Sequence, residues 1–160
     1  MAFDVNLRRH LWESVEAARN AIEPMLDLCT IVKLSDDELS PVLRTESAEE
    51  ATKILLDRGD SLVLVSMGEA GAFYATREFD GSLPGFEIDG AVDATGAGDA
   101  FFAATLTHLS ESPWWFSDET VVREAVRRGT AAGALACTDY GAMRALPTRE
   151  ELERFMSVRS

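Results

Sequence analysis

Hydrophobic positions recur along this chain with two alternating periods, and the switches between them mark out its elements. Residues 1–6 (MAFDVN) read as a short strand. From 11 to 28, Val15, Ala18, Ile22, Met25 and Leu26 fall at helical spacing and predict a helix. Residues 30–33 (TIVK) predict a second strand. Ser35-Asp36-Asp37-Glu38 then has the spacing of a capping box, and Ser47-Ala48-Glu49-Glu50 repeats it before a helix that runs to Arg58 and stops at Gly59. Residues 61–66 (SLVLVS) form a continuous apolar run, the pattern of a parallel strand covered on both faces. Residues 71–76 and 86–88 predict further strands between Gly/Pro turns. An apolar helix is expected over 100–109 and a long one, with Ala and Gly along one side, over 119–137. A final amphipathic helix over 148–158 is opened by Thr148-x-x-Glu151.

Strands that alternate with helices imply an α/β fold with parallel neighbours in its sheet. No repeat, low-complexity stretch or linker interrupts the pattern, so residues 1–160 are expected to form a single domain. The formal net charge of −13 repels phosphate backbones and anionic lipid, which argues against nucleic acid or a membrane surface as a partner. It leaves a nucleotide open, because a small concavity of backbone N–H groups can hold phosphate against an unfavourable overall field. Cys29 and Cys137 sit in apolar contexts (LDLCTIV and GALACTD) and read as small buried hydrophobes. Without a signal peptide or a long apolar span, a cytoplasmic location is expected. His10 and His108 stand alone and are taken as structural.

Chemistry concentrates in Asp93-Ala94-Thr95-Gly96-Ala97-Gly98-Asp99, which leads directly into a helix. Glycines let backbone approach a ligand, and free N–H groups at a helix start make an anion site. A carboxylate beside such a site would repel phosphate unless it accepts a proton from a hydroxyl attacking that phosphate. The plainer alternative is a Gly-rich turn with Asp99 favoured by the helix dipole. Two other phosphate motifs are excluded. A Walker loop needs Gly-Lys-Ser/Thr where Gly98-Asp99-Ala100 stands, and the dinucleotide fingerprint needs Gly or Ala at the position of Phe101.

The stretch Asp93–Phe101 (DATGAGDAF) resembles the second signature of the PfkB/ribokinase carbohydrate kinases. Other segments resemble that family in the same order. They are Asp4-Val5-Asn6-Leu7-Arg8 with Leu11-Trp12, residues 33–38 (KLSDDE), Val65-Ser66-Met67-Gly68-Glu69-Ala70-Gly71, and residues 131–147. The likeness is greatest to fructokinases and 2-keto-3-deoxygluconate kinases. It implies the C-terminal part of a ribokinase-like fold, a mostly parallel sheet flanked by helices, with the sugar-binding N-terminal half and its lid absent. It further implies ATP-dependent phosphorylation of a sugar hydroxyl, with Asp99 as the base and Gly96, Ala97 and Gly98 as an anion hole.

By the same resemblance, Ser66, Gly68, Gly71 and Thr130 line the ATP site, although many relatives carry Asn at the position of Thr130. Arg8 faces the phosphate or an acidic sugar. Glu38 orders water around Mg2+, and Asp93 and Thr95 sit where many relatives bind a monovalent cation such as K+. Ser35 replaces the family's Asn three residues before Glu38, and Ser35-x-x-Glu38 is also an ordinary capping box. The expected partners are ATP and a small sugar or sugar acid. Half of a parallel sheet would expose a strand edge and apolar helix faces, so a complementary N-terminal half or self-association is expected as well. A non-catalytic nucleotide-binding fragment is the alternative reading.

Overall fold

The computed structural model describes residues 1–88 and 90–159, which form two compact units. The first comprises Met1–Met67 with Phe73–Ser82, and the second Gly68–Ala72 with Leu83–Ser160.

The first unit is built on a sheet whose strands lie side by side in chain order. They are β1 (Ala2–Asp4), β2 (Ile31–Ser35), β3 (Leu62–Ser66), β4 (Ala72–Ala75) and β5 (Asp80–Leu83). β1 and β2 pair in parallel, as do β2 and β3, with Phe3 opposite Val32 and Val32 opposite Val63. Parallel neighbours need a crossover. Helix α1 (Val15–Leu26) supplies the first, and α2 (Asp36–Leu43) with α3 (Ala48–Arg58) supplies the second. Val32, Leu34, Val63 and Val65 pack against Ile22, Leu26, Leu39 and Leu55 from those helices. Leu62 and Leu64 are also fully buried, so the apolar run of β3 is covered on both faces, as its sequence suggests.

β4 and β5 are joined by a turn closed by the Thr76 N–H donating to the Phe79 carbonyl at 2.8 Å. So short a connection permits only an antiparallel pair, and the sheet is therefore mixed. The second strand of this hairpin falls at Asp80–Leu83 and not at 86–88. The sequence DGSL buries only Leu83 and has no apolar alternation to reveal it, so the turn places it. Phe86 instead packs on Phe155 with ring centroids 5.4 Å apart, inside the second unit.

Local chemistry sets the helix ends. α1 starts at Val15, later than its apolar pattern suggests, because the Ser14 hydroxyl accepts the Ala17 N–H at 3.0 Å. The preceding Arg9–Leu11 segment is a 3-10 turn. At the start of α2, Glu38 is 7% exposed and clamps two elements at once. One carboxylate oxygen accepts the Ser35 N–H at 2.7 Å and the other accepts the Leu7 N–H. Asn6, in the left-handed region at φ 42°, turns the chain after β1 towards that carboxylate. Arg19 of α1 closes the other end of α2, donating to the Pro41 carbonyl at 2.7 and 3.1 Å and to the Val42 carbonyl at 3.2 Å.

The second unit consists chiefly of α4 (Ala97–Ser110), α5 (Glu119–Ala136) and α6 (Arg149–Ser157). α4 and α5 approach closely where α5 carries glycine. A Cβ added at Gly129 would lie 2.2 Å from the Thr105 hydroxyl and 2.8 Å from the Phe101 carbonyl oxygen. Leu152, Phe155 and Met156 of α6 complete the core against Ala100, Ala131, Ala132 and Ala136. No helix among the described residues is long and apolar enough to cross a membrane.

Glu38→Ala should lower stability by on the order of 3 kcal/mol in urea unfolding, because it leaves two backbone donors without a charged acceptor. Glu38→Gln, which keeps one acceptor oxygen, should fall between the two.

Candidate active site

α4 begins at Ala97, three residues before its apolar pattern does. Gly96 is the N-cap, held at φ 86°, and a Cβ there would lie 2.9 Å from the Ala142 Cα. Both the backbone conformation and the close approach demand glycine. The first helical bond runs from the Ala100 N–H to the Gly96 carbonyl at 2.8 Å. The Ala97 N–H donates to the Ala94 carbonyl at 3.1 Å. The N–H groups of Gly96, Gly98 and Asp99 meet no protein acceptor among the described residues. This set differs from the expected Gly96, Ala97 and Gly98 in one member. The Asp99 side chain stands exposed in the first helical turn beside these open donors.

The loop entering α4 is organised by Asp93. One carboxylate oxygen accepts from the Thr95 N–H at 2.9 Å and the Thr95 hydroxyl at 2.6 Å. The other accepts the Gly141 N–H at 3.1 Å. The Thr95 hydroxyl, then the Thr95 and Gly141 N–H groups, hold the Asp93 carboxyl below the usual carboxylate range. The Val92 N–H donates to the Cys137 carbonyl at 2.9 Å. The loop is thus tied both to the end of α5 and to the turn at 141–142. Sequence reasoning missed the part played by Gly141 and Ala142, which carry no chemical signal of their own.

The other second-unit residues singled out from sequence have structural settings. Gly71 donates its N–H to the Gly68 carbonyl at 3.0 Å, closing a tight turn, and a Cβ on Gly71 would lie 2.0 Å from the Leu83 carbonyl oxygen. Thr130 is buried in α5, its hydroxyl donating to the Arg127 carbonyl at 2.8 Å. A cavity of about 310 Å³ runs along another flank of α4, lined in part by Ala103, Thr107, His108, Arg128 and Arg149, and none of the predicted site residues borders it.

In the first unit, Arg8, Glu38 and Ser66 all lie at the carboxyl ends of the parallel strands, following β1, following β2 and ending β3. Crevices at that edge are where open α/β sheets bind ligands. The Arg8 side chain is exposed and makes no hydrogen bond or ion pair among the described residues. The Ser66 hydroxyl donates to the Leu34 carbonyl at 3.4 Å. An ion pair between a buried lysine and a half-buried aspartate, which sequence reasoning did not single out, lies beside them. Lys33, 5% exposed, has its Nζ 3.1 and 3.3 Å from the Asp4 carboxylate oxygens, its neighbour in the parallel ladder. A lysine inside the apolar strand TIVKLS was its available signal.

Among the described residues no group of three or more Asp, Glu, His or Cys side chains converges as a metal cage. Both Glu38 oxygens already hold backbone donors, and Asp93 accepts from three. Any role for either in holding a cation is restricted to the lone pairs that remain.

Gly96→Ala should destabilise the second unit by about 1–3 kcal/mol through its positive φ alone, with further loss from the Ala142 approach, as read by thermal unfolding. Asp93→Asn should lower the melting temperature at neutral pH but change it little in strong acid. The sign follows from the depressed Asp93 value: its contribution is complete above the ordinary carboxylate range near 3.8 and is lost as pH falls below it.

Residues 1–149 match the sequence profile of the pfkB family carbohydrate kinase. Fructokinase-1 of Oryza sativa subsp. japonica is 37% identical over 157 residues, which cover 98% of this chain and 48% of that protein. The aminoimidazole riboside kinase of Salmonella enterica, solved with aminoimidazole riboside and an ATP analog, superposes with a TM-score of 0.85 at 36% identity, covering 98% of this chain and 52% of that one. A double mutant of the fructokinase of Vibrio cholerae O395, solved with fructose, ADP and potassium ion, gives 0.86 at 34% identity, covering 96% and 49%. The chain therefore spans about half the length of these relatives. Matched along nearly all its residues in both sequence and fold, this chain belongs to the PfkB family of carbohydrate kinases.

Proposed function

We propose that this chain carries the nucleotide-binding and catalytic region of an ATP-dependent sugar kinase, most like a fructokinase, with a 2-keto-3-deoxygluconate-type sugar acid as the alternative substrate. The observation that carries the reading is the start of α4, where three open N–H groups and an exposed carboxylate occupy one helical turn. Asp99 takes the proton from the sugar hydroxyl. The hydroxyl oxygen of the sugar then bonds to the γ-phosphorus of ATP, and the bond from that phosphorus to the β–γ bridging oxygen breaks to release ADP. Charge on the transferring phosphoryl oxygens then falls among the Gly96, Gly98 and Asp99 amides at the positive end of the helix dipole.

Ser66, Gly68, Gly71 and Thr130 are proposed to border the nucleotide, and Arg8 to meet the phosphate or an acidic sugar group. Mg2+, which neutralises phosphate charge in such reactions, would be reached by Glu38 through water. A monovalent cation, as in the potassium-bound fructokinase of Vibrio cholerae, would lie by Asp93 and Thr95. In this reading the partners are ATP and a small sugar or sugar acid, with a complementary N-terminal half or a second copy as the proposed protein partner.

A second reading, a nucleotide-binding module without turnover, rests on the same open amides at the start of α4, which can hold phosphate whether or not transfer follows. Calorimetry with Mg-ATP, together with fructose-dependent ADP release, separates the two. Heat of binding without turnover supports the module, and turnover supports the kinase. In the active polypeptide, Asp99→Asn should cut turnover by roughly 10²–10⁴ while leaving nucleotide affinity within about threefold. Turnover unchanged in that variant would remove Asp99 from the role of base.

A further inference from the structure

Asp60 lies in the turn between α3 and β3, and nothing in the proposed reaction uses it. It is 2% exposed, and neither carboxylate oxygen meets a hydrogen-bond donor among the described residues. A buried ionised carboxylate without donors is costly, and folded proteins ordinarily avoid one. The backbone on either side is pinned. The Gly59 N–H donates to the Leu56 carbonyl at 3.2 Å, the Asp60 N–H to the Leu55 carbonyl at 3.4 Å, and the Ser61 N–H to the Thr30 carbonyl at 2.8 Å. Those bonds join the end of α3 to the start of β2 and leave the carboxyl group little freedom to swing into water.

The charged groups that act on Asp60 are Arg58 and Asp27, and Asp60 in turn acts on the thiol of Cys29. Arg58 supplies the positive charge, but its guanidinium is held by the Asp27 carboxylate at 2.6 and 3.2 Å and by that of Glu23 at 3.4 Å. Asp27 adds a like charge. Cys29 is a buried thiol that donates to the Met25 carbonyl at 2.9 Å, and burial first, then the charge of Asp60, makes its proton harder to lose. The chain's amino group bonds to the Thr30 hydroxyl at 3.2 Å and acts on Cys29 in the opposite sense. α1 and α3 both end near this turn, with the negative ends of their dipoles there.

We propose that Asp60 is the proton-binding site of the first unit: the folded unit holds it as a neutral acid and loosens at the α3–β3 turn when that proton leaves. Burial, outweighing the pull of Arg58 and helped by Asp27, pushes the Asp60 carboxyl up to about 6 from its usual 3.8. Because the folded value is the higher one, the native unit holds a proton through that window and the unfolded chain does not. The Asp60 contribution to stability is therefore greatest on the acid side and falls as pH rises towards 6, then levels off. The unfolding constant should rise by roughly tenfold to a hundredfold across the window.

The test is amide hydrogen exchange of Val63 and Val65 in β3, which reads the first unit, on the full chain from about pH 4 to about pH 7.5. Values are corrected for the intrinsic pH dependence of exchange. Wild-type protection should fall at least tenfold, whereas Asp60→Asn should show little of that fall, whatever its absolute stability. Equal pH dependence in the two proteins overturns the proposal. An independent check is the ¹³C titration of the Asp60 carboxyl carbon in the wild type. A midpoint near 6 supports the proposal, and one in the ordinary range near 4 overturns it, even if the Asn variant fails to fold.

Discussion

A helix can present open amides at its start only if something outside the helix fixes the chain that enters it. Here that constraint is the carboxylate of Asp93, which holds Thr95 with one oxygen and Gly141 with the other. With the loop held from both sides, Gly96 lies against Ala142 in a conformation that a side chain would obstruct, and its carbonyl turns to accept the first helical bond. The donors of Gly96, Gly98 and Asp99 remain unpaired as a result. Donors set in place by folding need no reorganisation when charge develops near them, and this is why such turns suit transferring phosphoryl groups.

The close α4–α5 contact belongs to the same argument. α5 has no side chain at Gly129, and the Thr105 hydroxyl and the Phe101 carbonyl of α4 fill that space. A helix packed at that distance has little room to slide or rotate, so the position of its first turn is set by its middle. The overall charge of −13 works against bringing a polyphosphate to this turn. To hold the proposed nucleotide, local dipoles and amides would have to overcome that field, and ionic strength should matter to its binding for the same reason.

The parts legible in the sequence were those with a strong local signal. SLVLVS gave away a strand buried on both faces, the capping residues Ser47 and Thr148 marked helix starts, and the Ala/Gly side of α5 pointed to close packing. The misses have physical causes. DGSL is a strand because a tight turn pairs it with β4, although its own residues have no strand pattern. Ala97 and Gly98 are helical although glycine is a poor helix former, since a first-turn residue depends on the preceding loop more than on propensity. Leu11 fits the apolar spacing of α1, yet Ser14 is the better cap and starts the helix after it. In the candidate site the sequence offered the motif residues one by one, without their settings. What was not legible was that the Ala97 N–H would turn back to Ala94, or that both oxygens of Glu38 would hold backbone.

Three acidic residues of the first unit show how strongly position decides what a carboxylate does. Asp4 faces Lys33 across a ladder, and Glu38 holds two backbone amides, both at the carboxyl edge of the parallel strands. Asp60 sits at the opposite edge, where the strands begin, and has neither a cation of its own nor a donor. At the ligand-binding edge of such a sheet, charge can be retained because paired groups and backbone donors compensate its burial. At the other edge an unpaired acid contributes to folding chiefly through its proton. The two edges can therefore be perturbed separately: Asp60 reports on folding of the unit with the candidate ligand edge left intact, while a change at Glu38 alters both.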